Sequence, residues 1–242
     1  MPSLSEMAHA MFGLELSNHQ ADQFSTYEAA LLDWNTRINL TAITQPDDIR
    51  VRHFLDSLSL VTVVNFDEGD RLIDVGTGAG FPGMALAIAF PHLQVTLMDA
   101  TAKKLAFAEH LIARLGLRNV RTLHSRAEEA GQRVQQRAQF DVVTARAVAR
   151  LPILLEYMLP LAKVNGLCIA MKGPTAEAEI GDSRKAAAIL GGEIQPPAQV
   201  VLPGVEDPHY LVTTIKVKST PRAYPRKAGI PTKSPLGADS MS

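Results

Sequence analysis

The 242-residue chain carries 24 Lys and Arg against 25 Asp and Glu, a formal net charge of −1, with 46% hydrophobic and 20% charged residues. That balance describes an ordinary folded protein with ample length for a sizeable core, and it excludes binding of nucleic acid by overall charge, so any basic surface must be local. The single cysteine, Cys168, rules out an intrachain disulfide, and no apolar run approaches a membrane span or a signal peptide, which predicts a cytoplasmic protein with no membrane partner.

Residues 1 to about 65 read as helical. Phe24, Tyr27, Leu31, Trp34 and Ile38 recur at spacings of three and four, which predicts a helix from about Asp22 to Leu40 with one apolar face. A second helix is expected from about Asp48 through Leu60. Packing does not account for the polar residues Asn35, Arg37, Asn39, Thr41, Arg50, Arg52, His53 and Asp56 between and within these helices; capping and solvation are the plainest reading of them.

The segment Arg71 to Gly83, RLIDVGTGAGFPG, is a hydrophobic strand that empties into a loop with glycines at 76, 78, 80 and 83, followed at once by a helical run. Glycine admits positive φ and has no Cβ, so the loop can bend sharply and let a ligand approach its N–H groups. Two cofactors compete for it. Gly78, Gly80 and Gly83 spell the dinucleotide fingerprint, whereas Asp74 with Gly76, Gly78 and Gly80 spells the loop of S-adenosylmethionine (AdoMet) methyltransferases. Pro82 sets the helix start at Gly83, too early for the packing role of a third dinucleotide glycine, and the carboxylate of Asp74 suits a cationic cofactor better than a pyrophosphate. AdoMet is the preferred reading; a plain turn without ligand is the third.

From here strand and helix alternate, which argues for a parallel sheet. Gln94–Met98 is a strand ending at Asp99, placed to accept hydrogen bonds from an adenosine ribose, and Thr101 is expected to cap the next helix. Val120–Leu123 leads to a loop at Ala127 and Glu128 whose backbone is placed to meet an adenine. Phe140–Arg146 carries Arg146 at its mouth, and Leu167–Met171 carries Lys172. A helix from about Ala176 to Leu190 precedes two closing runs, about Glu193–Leu202 and Tyr210–Val217, that pair antiparallel. Five alternating units with a terminal hairpin suit the AdoMet-methyltransferase sheet better than a double mononucleotide fold. The organisation expected is a helical extension over 1–66, a catalytic domain over 67–218, and a basic, proline-rich tail over 219–242 that is flexible when free. Lys216, Lys218, Arg222, Arg226, Lys227 and Lys233 make this the one basic concentration, and the expected partner is RNA. No spaced Cys/His set suggests a metal.

The combination W-N-x-x-x-N-L-T-A-I from Trp34, R-H-F-L-D-S-L from Arg52, D-V-G-T-G-A-G-F-P-G from Asp74, R-A-E-E from Arg126, F-D-V-V-T-A-R-A from Phe140 and M-K-G from Met171 resembles the bacterial small-subunit ribosomal RNA guanine-N7 methyltransferase family, formerly called glucose-inhibited division protein B. The resemblance spans about residues 20 to 218. It implies a Rossmann-like class I AdoMet-dependent methyltransferase, a mostly parallel seven-stranded α/β sheet with a C-terminal antiparallel hairpin and an N-terminal helical layer. It implies, as substrate, the guanine of the 530 loop in 16S ribosomal RNA, naked or within the small ribosomal particle, acted on by a monomer. Its cofactor contacts carry over to Gly76, Phe81, Ala127, Glu128 and Arg146; Asp74, Gly78, Gly80 and Asp99 are added from position. Asn39, His53 and Lys172 fall in motifs facing the reaction side. Because guanine N7 already holds an in-plane lone pair, the reaction needs orientation and no general base, so Arg146 or Lys172 would mark O6 and not abstract a proton.

Overall fold

The computed structural model describes residues 2–237. One sheet runs through the molecule, built from β1 (Arg71–Val75), β2 (Gln94–Asp99), β3 (Val120–His124), β4 (Phe140–Arg146), β5 (Ala162–Lys172), β6 (Gly192–Ile194), β7 (Ala198–Val200) and β8 (His209–Lys216). The order is β3-β2-β1-β4-β5-β8-β6, with β7 also on β8; β1 to β5 are mutually parallel and β8 is antiparallel to β5. Strands covered on both faces read as nearly unbroken apolar runs, and β1 and β4 do so.

The expected closing hairpin is modified. Pro196 and Pro197 have no N–H to give a ladder, and they divide the first run into β6 and β7, both paired with β8. The register slips by one between Ile194↔Thr214 and Ala198↔Leu211, so the edge bulges. Eight strands therefore fill the seven lanes that were expected. The fifth strand also starts earlier than its apolar run, at Ala162.

Helices α1 (Leu4–Phe12) and α2 (Asn18–Asn35) are each opened by a serine capping box, Ser3 with Glu6 and Ser17 with Gln20. The second stops five residues short of the expected Leu40, because the Asn35 carboxamide accepts from Leu40 N–H and Thr41 N–H and donates to the Thr41 carbonyl, folding the chain into a loop. The next helical stretch begins at Pro46: α3 (Pro46–Ile49), a π-helical turn over Arg50–Leu55, α4 (Asp56–Leu58) and a 3-10 turn over Ser59–Thr62 follow without a break. These elements pack with α5 (Gly83–Ala89) and α6 (Ala102–Leu115) on one face of the sheet, where Phe24, Tyr27, Phe54 and Phe107 are buried together.

The other face holds α7 (Ala127–Ala130), α8 (Leu151–Met158) and α9 (Ala176–Leu190) around Phe140, Leu155 and Met158. Across it lies the C-terminal segment, ending in the single turn α10 (Ile230–Lys233). The expectation of a flexible tail is corrected here through Gly237. Arg137 donates to the carbonyls of Thr220, Pro221 and Tyr224, Thr220 Oγ1 donates to Leu190 O, and Arg226 binds Glu156, itself 1% exposed, at 2.7–3.2 Å. Pro225 sits where a Cβ on Gly131 would lie, 2.7 Å away. Proline and charge read as disorder in composition; the distant groups that receive them turn the segment into a strap. The last five expected tail residues fall outside the described residues. No helix among the described residues is long and apolar enough to cross a membrane.

Candidate active site and cofactor cleft

The loop after β1 is held from below by Asp74. Its buried carboxylate accepts from Thr77 Oγ1 at 2.6 Å, Gly83 N–H at 3.0 Å and Thr144 Oγ1 at 3.4 Å, and burial pushes its pKa up to about 6 against those donors. Asp74 is thus a wholly buried brace inside the loop and is not among the residues that bound the cleft described below. The glycines divide by task. A Cβ on Gly76 would lie 2.7 Å from Val148, one on Gly80 2.6 Å from the Tyr27 hydroxyl, and one on Gly83 2.6 Å from Leu97 and 2.8 Å from Asp74. Gly83 therefore does serve close helix–strand packing, contrary to the sequence argument that it comes too early. Gly78, at φ 58°, is crowded by no side chain and is the open point of the loop.

The loop's N–H groups are mostly engaged within the protein. Gly76 and Thr77 donate to Met98 O, Gly80 and Phe81 to Thr77 O, and Gly78 to Asp99 Oδ2 at 3.0 Å. Gly83 N–H, at the start of α5, is taken by Asp74. No anion nest of the dinucleotide type is left. Asp99 accepts one donor on each oxygen, Gly78 N–H and Thr101 N–H, and each keeps a further lone pair. The second of these bonds also replaces the expected cap, since Thr101 makes no side-chain cap.

The N-terminal layer reaches directly into this loop. Tyr27, wholly buried, donates to Ala79 O at 2.6 Å and stacks on Phe81 with centroids 5.1 Å apart. His53 covers the other side of Phe81 at 4.6 Å, and the Arg146 guanidinium lies 4.9 Å from the same ring. Phe81 is hence the centre of a stack, 4% exposed, with only its edge on the cleft.

Arg146 gathers the remaining groups. NH1 donates to Arg52 O at 2.9 Å and Asp56 Oδ2 at 3.1 Å, and NH2 to His53 Nδ1 at 3.1 Å. His53 Nδ1 thus lies 3.1 Å both from Arg146, which can only donate, and from Arg52 O, which can only accept, so the two compete for it, while Nε2 lies 2.8 Å from Thr41 Oγ1, a hydroxyl that pairs with either tautomer. Burial, and then Arg146, hold the His53 pKa down at about 4, so the ring is neutral at working pH. Asp56 closes the cluster by accepting from His209 Nδ1 at 3.1 Å, which raises the His209 pKa above its usual value. The π-helical turn places Arg52 and His53, α4 places Asp56, and the mouths of β4 and β8 bring Arg146 and His209 to meet them.

A cleft of about 430 Å³ opens over this assembly, bounded by Gly76, Gly78, Thr41, Lys104, Arg146 and His209. Other expected site residues lie around it in different ways. Glu128 turns its carboxylate to accept from Gly229 N–H of the strap at 3.2 Å, Ala127 O accepts from Gly131 N–H, and neither residue is among those that bound the cleft. Lys172 is paired with Glu179 at 2.7 Å and donates to Ala149 O, lining a neighbouring pocket. Asn39 is exposed on the loop that Asn35 folds. Of the basic residues expected on RNA, Lys218, Arg222, Lys227 and Lys233 are exposed. Lys216 is not: 1% exposed, it donates to Leu159 O and Ala162 O, with burial lowering its pKa to about 8, and Arg226 is committed to Glu156. Both are corrections, since each cation serves the interior. His209 escaped the sequence reading altogether; Asp56 was noted without a role. Among the described residues no His, Cys, Asp and Glu cluster could hold a metal.

Residues 20–200 match the family described as GidB, rRNA small subunit methyltransferase G. A Lactobacillus johnsonii protein named ribosomal RNA small subunit methyltransferase G is 42% identical over 237 residues, covering 97% of this chain and 99% of its own. A Desulfitobacterium hafniense protein of the same name is 46% identical over 234 residues, covering 96% of each. The fold is shared with an SAM-dependent O-methyltransferase of Thermotoga maritima (TM-score 0.53, 18% identity, 79% of this chain and 72% of that one) and a 16S rRNA (adenine(1408)-N(1))-methyltransferase of Catenulisporales acidiphilia (TM-score 0.53, 16% identity, 65% and 96%). With a braced glycine loop at the mouth of a Rossmann-like sheet and relatives matched over nearly their whole length, the chain belongs to the rRNA small subunit methyltransferase G family.

Proposed function

We propose that the chain transfers a methyl group from AdoMet to N7 of a guanine in 16S ribosomal RNA, guanine 527 by family resemblance. The observation that carries the cofactor is the loop: its N–H groups and the start of α5 are already engaged, so a pyrophosphate finds no nest, while Asp99 keeps acceptor capacity for a ribose. Gly78 gives the open approach, Asp99 would hold the ribose hydroxyls, and the backbone at Ala127 and Glu128 would meet the adenine. Bound there, AdoMet supplies a sulfonium methyl: the N7 lone pair forms the new bond to carbon, the carbon–sulfur bond breaks, and its electron pair returns to sulfur.

No proton moves in that step, so it calls for no base. His53 is neutral and buried, with Nδ1 set between Arg146 and the Arg52 carbonyl. What the residues supply is position, holding N7 in line with the methyl; such placement accounts for roughly 7–11 kcal/mol of a barrier in favourable cases. N7 faces the deep major groove of an RNA helix, so the guanine must be presented unpaired or flipped. Exposed Lys218, Arg222, Lys227 and Lys233 on the strap, and Asn39 on the opposite loop, are the proposed RNA contacts. A monomer is the proposed active unit.

The test is tritium transfer from labelled AdoMet to 16S RNA, naked and in small subunits, isolated from cells lacking this activity, followed by nucleoside analysis. Label in 7-methylguanosine is expected. AdoMet binding with no transfer to either substrate would replace the enzyme by an AdoMet-binding assembly factor.

A further inference from the structure

Beside the cofactor cleft lies a smaller pocket of about 220 Å³, lined by Ala147 at the end of β4, Lys172 and Gly173 at the end of β5, and Tyr210 in β8. The two spaces share Asp56, Arg146, Ala147 and His209 as a common wall. At ~30 Å³ per water this is about seven water volumes, room for a single base. A large space on the glycine loop and a base-sized one across a shared wall is the arrangement a two-substrate transfer needs.

The cations lining the smaller pocket are not equivalent. Arg146 is drawn to Arg52 O, Asp56 and His53, and Lys172 to Glu179 and Ala149 O. His209 is held by only one nitrogen. Nδ1 donates to Asp56 at 3.1 Å, and Nε2 has no partner among the described residues, on a side chain 28% exposed. The aim of the ring is thus fixed from behind while its front nitrogen is free.

Resting on the guanine reading above, we propose that His209, oriented by Asp56, is the specificity-determining donor of this site, its Nε2–H bonding O6 of the acceptor guanine where adenine would present an amino group. Because Nδ1 keeps its hydrogen for Asp56, Nε2 is a donor only in the imidazolium form; neutral His209 would present a lone pair there and repel O6. The groups that set this proton are Asp56, which favours it, and Arg146 and Arg52, which oppose it; Lys172 stands across the pocket. Asp56 has a second effect. Methylation leaves positive charge on the guanine ring, and an unbalanced cation beside it would oppose the step, whereas the Asp56–His209 pair directs an N–H at O6 with little net charge.

The test uses 16S RNA bearing guanine or 2-aminopurine at the acceptor position; 2-aminopurine keeps N7 and lacks O6. Wild-type kcat/KM is expected to fall about 10- to 100-fold when O6 is removed, the range for a charge-assisted hydrogen bond. His209→Ala should lose as much on guanine RNA and then be nearly indifferent to O6, with AdoMet affinity and thermal stability close to wild type. His209→Gln, which offers a neutral donor, should recover part of the loss. Wild-type activity should decline as pH rises through the raised His209 pKa, and His209→Gln should lack that decline. Full activity in His209→Ala, losses from the variant and from O6 removal that simply multiply, or loss of AdoMet binding alongside transfer would each overturn the proposal. A wild-type protein that labels no guanine-bearing RNA overturns the parent reading, and this one with it.

Discussion

The two ends of the chain are fastened to opposite faces of one sheet by different physics. The N-terminal layer docks through aromatic burial, with Tyr27, Phe54 and Phe81 in mutual contact, and it supplies Thr41, His53 and Asp56 to the cleft itself. The C-terminal strap docks through one buried ion pair and arginine-to-carbonyl bonds, and toward the cofactor side it gives Gly229 N–H to Glu128. The layer is therefore a component of the site, whereas the strap is an attachment that leaves most of its cations facing solvent.

Breaking the layer should have the largest effect. Tyr27→Ala removes a wholly buried ring and the donor to Ala79 O, and unfolding in denaturant should show a loss of about 3–5 kcal/mol, together with loss of AdoMet binding. Arg226→Ala strands Glu156, at 1% exposure, without its cation. Breaking a buried pair costs about 3–5 kcal/mol, but the strap can lift and admit water, so the lower end or less is expected in the same assay, with AdoMet affinity little changed. Equal damage to AdoMet binding from both substitutions would erase the contrast.

A smaller effect separates the layer by pH. The His53 pKa is lowered from 6.5 to about 4, so the unfolded chain binds the extra proton between those values, and His53's contribution is full above about pH 6.5 and declines as pH falls toward 4. Asp74, raised from 3.8 to about 6, has the opposite slope over much of that window, its contribution being lost as pH rises through about 6. Total stability should therefore vary little. The difference between wild type and His53→Gln isolates His53, and it should shrink as pH falls from 6.5 to 4. The smallest effect belongs to the strap's exposed cations: Lys227→Ala should leave stability unchanged and lower the slope of log RNA affinity against log salt by roughly 0.7–0.9, as for one phosphate contact.

The order β1 to β5, the glycine loop and Arg146 at its strand mouth were legible because they depend on local pattern: apolar runs, left-handed glycines, a charge after a strand. Asp74 and Asp99 were located by pattern, but sequence shows that an acid stands at a strand end and not which N–H groups it already holds. His209 carried no local signal. It meets Asp56 from 153 positions away, and only the antiparallel return of β8 beside β5 brings it there. The strap and Lys216 were misread for a related reason, because composition records charge and proline while Glu156, Gly131 and the carbonyls of Leu159 and Ala162 decide where they lie.

Whether the N-terminal layer shapes the cofactor loop or merely supports it is decided by the AdoMet affinity of Tyr27→Phe. That substitution keeps the stacked ring and removes only the hydroxyl that holds Ala79 O. Calorimetric titration should show binding weakened by about tenfold or more, the scale of one buried hydrogen bond left unmade, while the protein stays folded. Wild-type affinity in a folded Tyr27→Phe protein would reduce the layer to a scaffold.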